Sequence, residues 1–497
     1  MGVVFRQSIK STIIILTGNV IGALVTYCTT FVLKGNDQQF GFSKTLLNIG
    51  NISMVMVLLG AASTLQIYTQ KYQATDNRKK VLITFCTMMP LAAVLVLLPF
   101  YLAFKEQLIG VFKPDDQIYL STYYLWIPLL TLVWSYLTLY EAYLVSQHKA
   151  AKSLLIREVF LRVFNIGTLA ALYWHVIDFH GFIIWTIISY ILAAFLQLLL
   201  SARTEGFGFS LDWKLFSRNE YKEIVHFSWF HLLMGVSFYL NGYLDILMLA
   251  VYDKKGMAAL PVYIISGFIA QLVYIPYRAI VNAVFPVLNK AYIDGDKEEL
   301  KHVFNRSAIN ILIVAVAMVL MIGLNLNNAV AILPHGYDAV VPLVLILMLG
   351  RVSEMVSGLN NEVISISSLY KFNSRISMAL VLLFLVLYRI AIPAYGIYGA
   401  AWGTTISLVI YNVAKTIFLY KKMGLQPFSA QSLRVLLAGL ISGGIAYCIP
   451  FLYHPVLDTF IRTGILLIIY TLLLLWLRPS EDINTYLASV RKSKRLF

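Results

Sequence analysis

The chain has 497 residues, of which 59% are hydrophobic and only 13% charged, with a mean hydropathy of +0.76 and a net charge of +15. A water-soluble globular chain is nearer half apolar and a quarter charged. The composition excludes that class and predicts an all-α protein that crosses a membrane many times.

The N-terminus, MGVVFRQSIKS, runs directly into a full-length apolar stretch with no small-residue cleavage site, so an uncleaved first helix is expected. From there the apolar runs fall at about 11–33, 45–67, 80–103, 119–146, 154–176, 180–202, 225–251, 257–287, 303–323, 337–358, 374–393, 396–420, 432–451 and 459–478. At roughly 20 residues per span they predict fourteen helices. With the N-terminus placed in the cytoplasm, twenty-seven Lys and Arg residues fall on the inner side and eight on the outer. That bias is the positive-inside pattern and predicts cytoplasmic termini. It also accounts for the net charge without nucleic acid. Cys28, Cys86 and Cys448 lie in separate spans and form no disulfide or metal pattern.

The chain reads as doubled. QIYTQKYQATDNRKK (66–80) follows the second run and PVLNKAYIDGDKEELK (286–301) the eighth, each an apolar run, then Lys and Tyr, then an acidic turn, then charge. SQHKAAK (146–152) and SLYKFNSR (368–375) share their Ser-to-Lys spacing. These matches predict a six-helix lobe at 1–210, a second at 211–425, and two extra helices with a basic tail at 426–497. Repeated halves are the expected build of a transporter. The linker 211–224 reads as an interfacial helix or as a solvated connection. Gly439 and Gly443 in the thirteenth run suit close helix packing.

Polar residues inside the apolar runs mark the candidate site, because a charge at mid-bilayer costs roughly 3 kcal/mol on insertion scales. Asn241 and Asp245 lie one turn apart on the seventh run. Gln271, Tyr274, Arg278 and Asn282 form a stripe on the eighth. Arg351 and Glu354 share a face of the tenth. One polar face per helix predicts a water-filled cavity, with Asp245 as a counter-ion of Arg278 or as a binder of a coupling proton or sodium ion. Structural readings stand beside these. Arg351 and Glu354 can satisfy each other, Arg162 and Lys415 can snorkel to headgroups, and the aromatic residues of the fourth run, Tyr123 to Tyr140, can be packing. No His or Cys spacing suits a metal, and no Gly-rich Lys loop for ATP is present, so no cofactor is expected and the drive is a potential or an ion gradient.

IPAYGIYGAAWGTTIS (392–407), FPVLNKAYIDGDKEELKHVFNRS (285–307) and the Asn-x-x-x-Asp of the seventh run resemble bacterial polysaccharide transporters, of the multidrug/oligosaccharidyl-lipid/polysaccharide exporter superfamily. The resemblance implies a Wzx-type flippase with two six-helix bundles in a V. Its cargo would be an undecaprenyl-pyrophosphate-linked oligosaccharide crossing the bacterial inner membrane, with polysaccharide polymerase machinery as a partner and Arg278 at the basic position of the eighth span. The first span, with Asn19 and threonines where lipid II flippases carry basic residues, speaks against lipid II. A multidrug cation exporter of the same superfamily and a membrane-embedded polymerase or ligase are the rival readings. The second of these, an enzyme, is disfavoured by outer loops that are all short.

Overall fold

The structure, a computed structural model, describes residues 2–72, 76–451 and 454–482, with the backbone alone at 2–9, 11–13, 16, 233, 234, 238 and 370. The tail cations Arg491, Lys492, Lys494 and Arg495 lie outside the described residues, as do positions 73–75 of the first repeat signature.

Among the described residues all regular structure is helical. Contacts divide the chain into two compact units, Met1–Pro261 and Val262–Phe497. The first holds α1 (Gly2–Val32), α2 (Asp37–Leu58), α3 (Ala61–Tyr68), α4 (Asn77–Ala103), α5 (Lys105–Gly110), α6 (Pro114–Tyr123), α7 (Trp126–Ser146), α8 (Ala150–Leu154), a π-helical turn (Leu155–Phe160), α9 (Leu161–Tyr173), α10 (Phe179–Ala202) and α11 (Arg218–Tyr252). The second holds α12 (Leu260–Leu272), whose first two residues precede the boundary, then α13 (Ile275–Ile293), α14 (Lys297–Ala331), α15 (Val340–Val356), α16 (Asn360–Ile366), α17 (Tyr370–Tyr395), α18 (Ile397–Met423), α19 (Ala430–Tyr447) and α20 (Pro455–Leu477). Each of the fourteen apolar runs lies on one or two of these helices. Among the described residues seven helices are long and apolar enough to cross a membrane alone, and up to eleven spans result if each bent pair counts once. The chain is a multi-pass membrane protein.

Local chemistry explains the ends of the helices. Asp76 accepts a hydrogen bond from the Arg78 N–H at 2.8 Å, and Asp296 accepts from the Glu299 N–H at 2.9 Å. Each aspartate satisfies a free donor at a helix start, α4 in one case and α14 in the other. The two acidic turns of the repeat signature are therefore the same device used twice. Ser217 and Glu220 form a capping box that starts α11 inside the expected linker. Only one 3-10 turn, Trp213–Leu215, precedes it, and Phe216 is buried in the first unit's core. The linker is thus mostly exposed, its second half forms the first turns of α11, and Phe216 and Ile224 anchor it to the first unit.

The last two helices pack on α14 and on each other. A Cβ at Gly439 would sit 2.4 Å from a methyl of Val316, and one at Gly443 2.8 Å from a methyl of Leu320. The small-residue face lets α19 approach α14 closely, as the spacing predicts. Arg462 is buried on α20. It grips Asp458 with two nitrogens at 3.0 and 3.1 Å and donates to the Ala446 carbonyl, while Asn328 of α14 bonds Asp458 at 2.6 Å. The aromatic run of the fourth span is packing: Trp134 lies against Tyr190 at 4.7 Å and Tyr124 stacks on Tyr101 at 4.1 Å.

Candidate functional site

The predicted stripe on the eighth run is broken in two. Pro276, at the start of α13, has no N–H to donate and disfavours helical backbone in the residue before it. The chain bends by 42° between α12 and α13. Gln271 ends up half-buried on α12, Tyr274 at the break, and Arg278 and Asn282 exposed on α13.

A second break faces the first. α15 and α16 meet at 49°, with Gly358 at φ +63, a conformation that side chains rarely adopt. The Tyr277 hydroxyl donates to the freed Gly358 carbonyl at 3.1 Å. The Tyr274 hydroxyl donates to Glu354 at 2.6 Å. The two tyrosine rings lie 4.7 Å apart. Both predicted arginines converge on Tyr274, with the guanidinium carbon of Arg278 5.2 Å and that of Arg351 6.0 Å from the ring centroid. Arg351 reaches Glu354 only at 3.9 Å, the long limit of an ion pair. Among the described residues of its unit, Arg278 has no carboxylate within that range. Three predicted residues, Arg278, Arg351 and Glu354, thus meet around a tyrosine, with two guanidinium groups against one carboxylate. The ring face stabilises the cations without occupying their N–H donors. Such a cluster has the chemistry to accept an anion, and a planar guanidinium suits phosphate in particular.

Asn241 and Asp245 belong to the other unit, on α11, where Asn241 is exposed and Asp245 half-buried. One Asp245 oxygen accepts from the Ile246 N–H at 2.8 Å.

Two snorkelling expectations are overturned. Lys415 is 2% exposed, and its ammonium donates to Asn361 at 2.7 Å and Tyr411 at 3.0 Å. It turns inward because neutral acceptors on neighbouring helix turns satisfy it there. Arg162 pairs with Glu158 at 2.6 Å and lies against α1 where Gly18 and Gly22 leave room; a Cβ at Gly22 would be 3.0 Å from its guanidinium. Arg157, counted above with the inner-side charges, pairs with Glu141 at 2.7 Å. Sequence reasoning missed Glu141, Glu158 and Glu362. Glu141 carried the same signal as Asp245, a carboxylate within an apolar run.

No family model and no curated protein sequence matches the chain. Solved structures do. The lipid II flippase MurJ in an inward closed conformation aligns with a TM-score of 0.73 at 14% identity, covering 94% of this chain and 98% of that one. An inward-facing multidrug resistance MATE family transporter of the MOP superfamily aligns at 0.61 and 14% identity, covering 83% and 98%. A MOP superfamily transporter from Pyrococcus furiosus aligns at 0.58 and 12% identity, covering 84% and 96%. The chain shares their fold.

Proposed function

We propose that the protein is a flippase for a lipid-linked oligosaccharide, moving an undecaprenyl-diphosphate glycan across a bacterial cytoplasmic membrane by alternating access for surface polysaccharide synthesis. The observation that carries this reading is the Tyr274 cluster. Arg278 and Arg351 hold donors for a phosphate, and a single carboxylate offsets them only in part. Gln271 and Asn282 add polar groups above and below it for sugar hydroxyls. A diphosphate and its sugars are too polar to enter hydrocarbon, so a polar, anion-accepting path is what such a cargo requires. The fold supports the reading as well: the flippase likeness extends over 94% of the chain, the multidrug transporter likeness over 83%. The first span's lack of basic residues favours a glycan lipid other than lipid II.

The test is cargo choice in proteoliposomes. Purified protein is expected to bring fluorescent undecaprenyl-diphosphate oligosaccharide within reach of an external glycosidase, and to leave ethidium untransported. Ethidium transport without glycan flipping would establish the exporter instead.

A further inference from the structure

Beside the arginine cluster lies a second group of charges that anion binding does not use. Lys415 on α18 is buried, and its ammonium bonds two neutral oxygens, those of Asn361 and Tyr411. Among the described residues no carboxylate lies within 4 Å of it. Next along α16 is Glu362. Its Oε2 is inaccessible and has no hydrogen-bond partner among the described residues. Asn361 thus stands between a buried ammonium and a buried carboxylate that do not meet. Its oxygen accepts from Lys415, it precedes Glu362 directly in the chain, and its own exposure puts the group at the surface of the unit.

A buried carboxylate oxygen with no donor is costly as an anion. It is inexpensive as an acid, since a protonated carboxyl keeps its charge out of the low-dielectric interior. We propose that Glu362, with Asn361 and Lys415, is a proton-binding site. Glu362 takes a proton and stands apart from Lys415 in the arrangement seen here. On releasing the proton, its carboxylate is drawn toward the ammonium across Asn361. The other groups around it fit this role. The hydroxyls of Tyr274 and Tyr277 on α13 are engaged with Glu354 and the Gly358 carbonyl. Glu354 on α15 is held by Tyr274 and faces Arg351. Lys371 and Arg375 on α17 are exposed. A hard metal ion wants six or more oxygen ligands or bound waters, and among the described residues no cluster of three acidic or histidine side chains is present. The inference concerns the drive and not the cargo, so it stands or falls separately from the flippase reading.

The experiment is labelling of the full chain in lipid nanodiscs with dicyclohexylcarbodiimide, which attacks protonated carboxylic acids in apolar surroundings, read by peptide mass spectrometry with no cargo present. The Glu362 adduct is expected to fall several-fold as the pH is raised from acid to alkaline, and to be indifferent to sodium. In Lys415→Gln the loss of a neighbouring positive charge favours the neutral acid, so the adduct persists to higher pH, whereas Lys415→Arg keeps the native profile. No adduct at any pH, an adduct that ignores pH, or one abolished by sodium at constant pH would each overturn the proposal.

Discussion

Two arginines of the first unit and two of the second stand in opposite conditions. In the first, Arg157 meets Glu141 at 2.7 Å and Arg162 meets Glu158 at 2.6 Å, beside a π-helical turn. In the second, Arg351 reaches Glu354 only at 3.9 Å, and Arg278 rests on the Tyr274 ring. A guanidinium closed on a carboxylate is already neutralised, and a ligand would have to displace its partner. One held over an aromatic face keeps its hydrogen-bond donors free. Arginines inside a membrane protein are therefore not equivalent candidates for a binding site. What separates them is whether a carboxylate lies within bonding distance.

The largest effect that would break this comparison is at Arg278. A hydrogen bond to a charged group is worth about 1.5–3 kcal/mol. Arg278→Ala is therefore expected to reduce glycan flipping in proteoliposomes to background at matched protein abundance. Arg278→Lys should recover part of it, because an ammonium keeps the charge but loses the planar fork. Native flipping by the alanine variant would show that the open arginine is not the one used.

The closed pairs are expected to answer in stability. Glu141→Gln leaves Arg157 without its counter-ion, at a cost of about 3 kcal/mol. The low end of the buried range applies because both side chains keep some exposure. The measurement is thermal unfolding in detergent, and the double change with Arg157→Gln should return most of the loss. A transport defect in Glu141→Gln with unchanged unfolding would place this pair among the working residues and erase the contrast between the units.

Much of the fold was legible in the sequence because the bilayer demands long apolar runs, and all fourteen runs lie on helices. The breaks were less so. Pro276 signalled the bend at α12–α13, yet the stripe from Gln271 to Asn282 looks continuous when only the 3.6-residue period is counted. The site was legible as residue types. Arg278, Arg351 and Glu354 stood out as charges among apolar neighbours, and they do meet. Their meeting point, Tyr274, depends on contacts between helices eighty residues apart, which no local pattern encodes. Lys415 and Arg162 were misread for the same reason. Snorkelling is the default for a long basic side chain near a span end, and the Asn361 oxygen and the Glu158 carboxylate that overrule it lie in other turns or helices.

The smallest effect sharpens the comparison from outside the membrane. Arg306 on α14 forms an ion pair with Asp482, just beyond α20, and both side chains are more than two-fifths exposed. The hydrogen bond from Arg306 holds the Asp482 carboxyl below its ordinary range. A depressed carboxyl stabilises the folded chain above its unfolded value, near 3.9, and that contribution disappears as pH falls through the lower, folded value. At neutral pH it is present in full, yet solvent screening keeps it small. Asp482→Asn is expected to cost less than about 1 kcal/mol in thermal unfolding, a cost that shrinks in about 1 M salt and vanishes in acid, where the native carboxyl is also neutral. Glu141→Gln should keep most of its cost in the same salt, because a partly buried pair is screened far less. Equal salt sensitivity of the two variants would mean that water reaches the Glu141–Arg157 pair as freely as it reaches the surface, and that the first unit's arginines are as open to an anion as those around Tyr274.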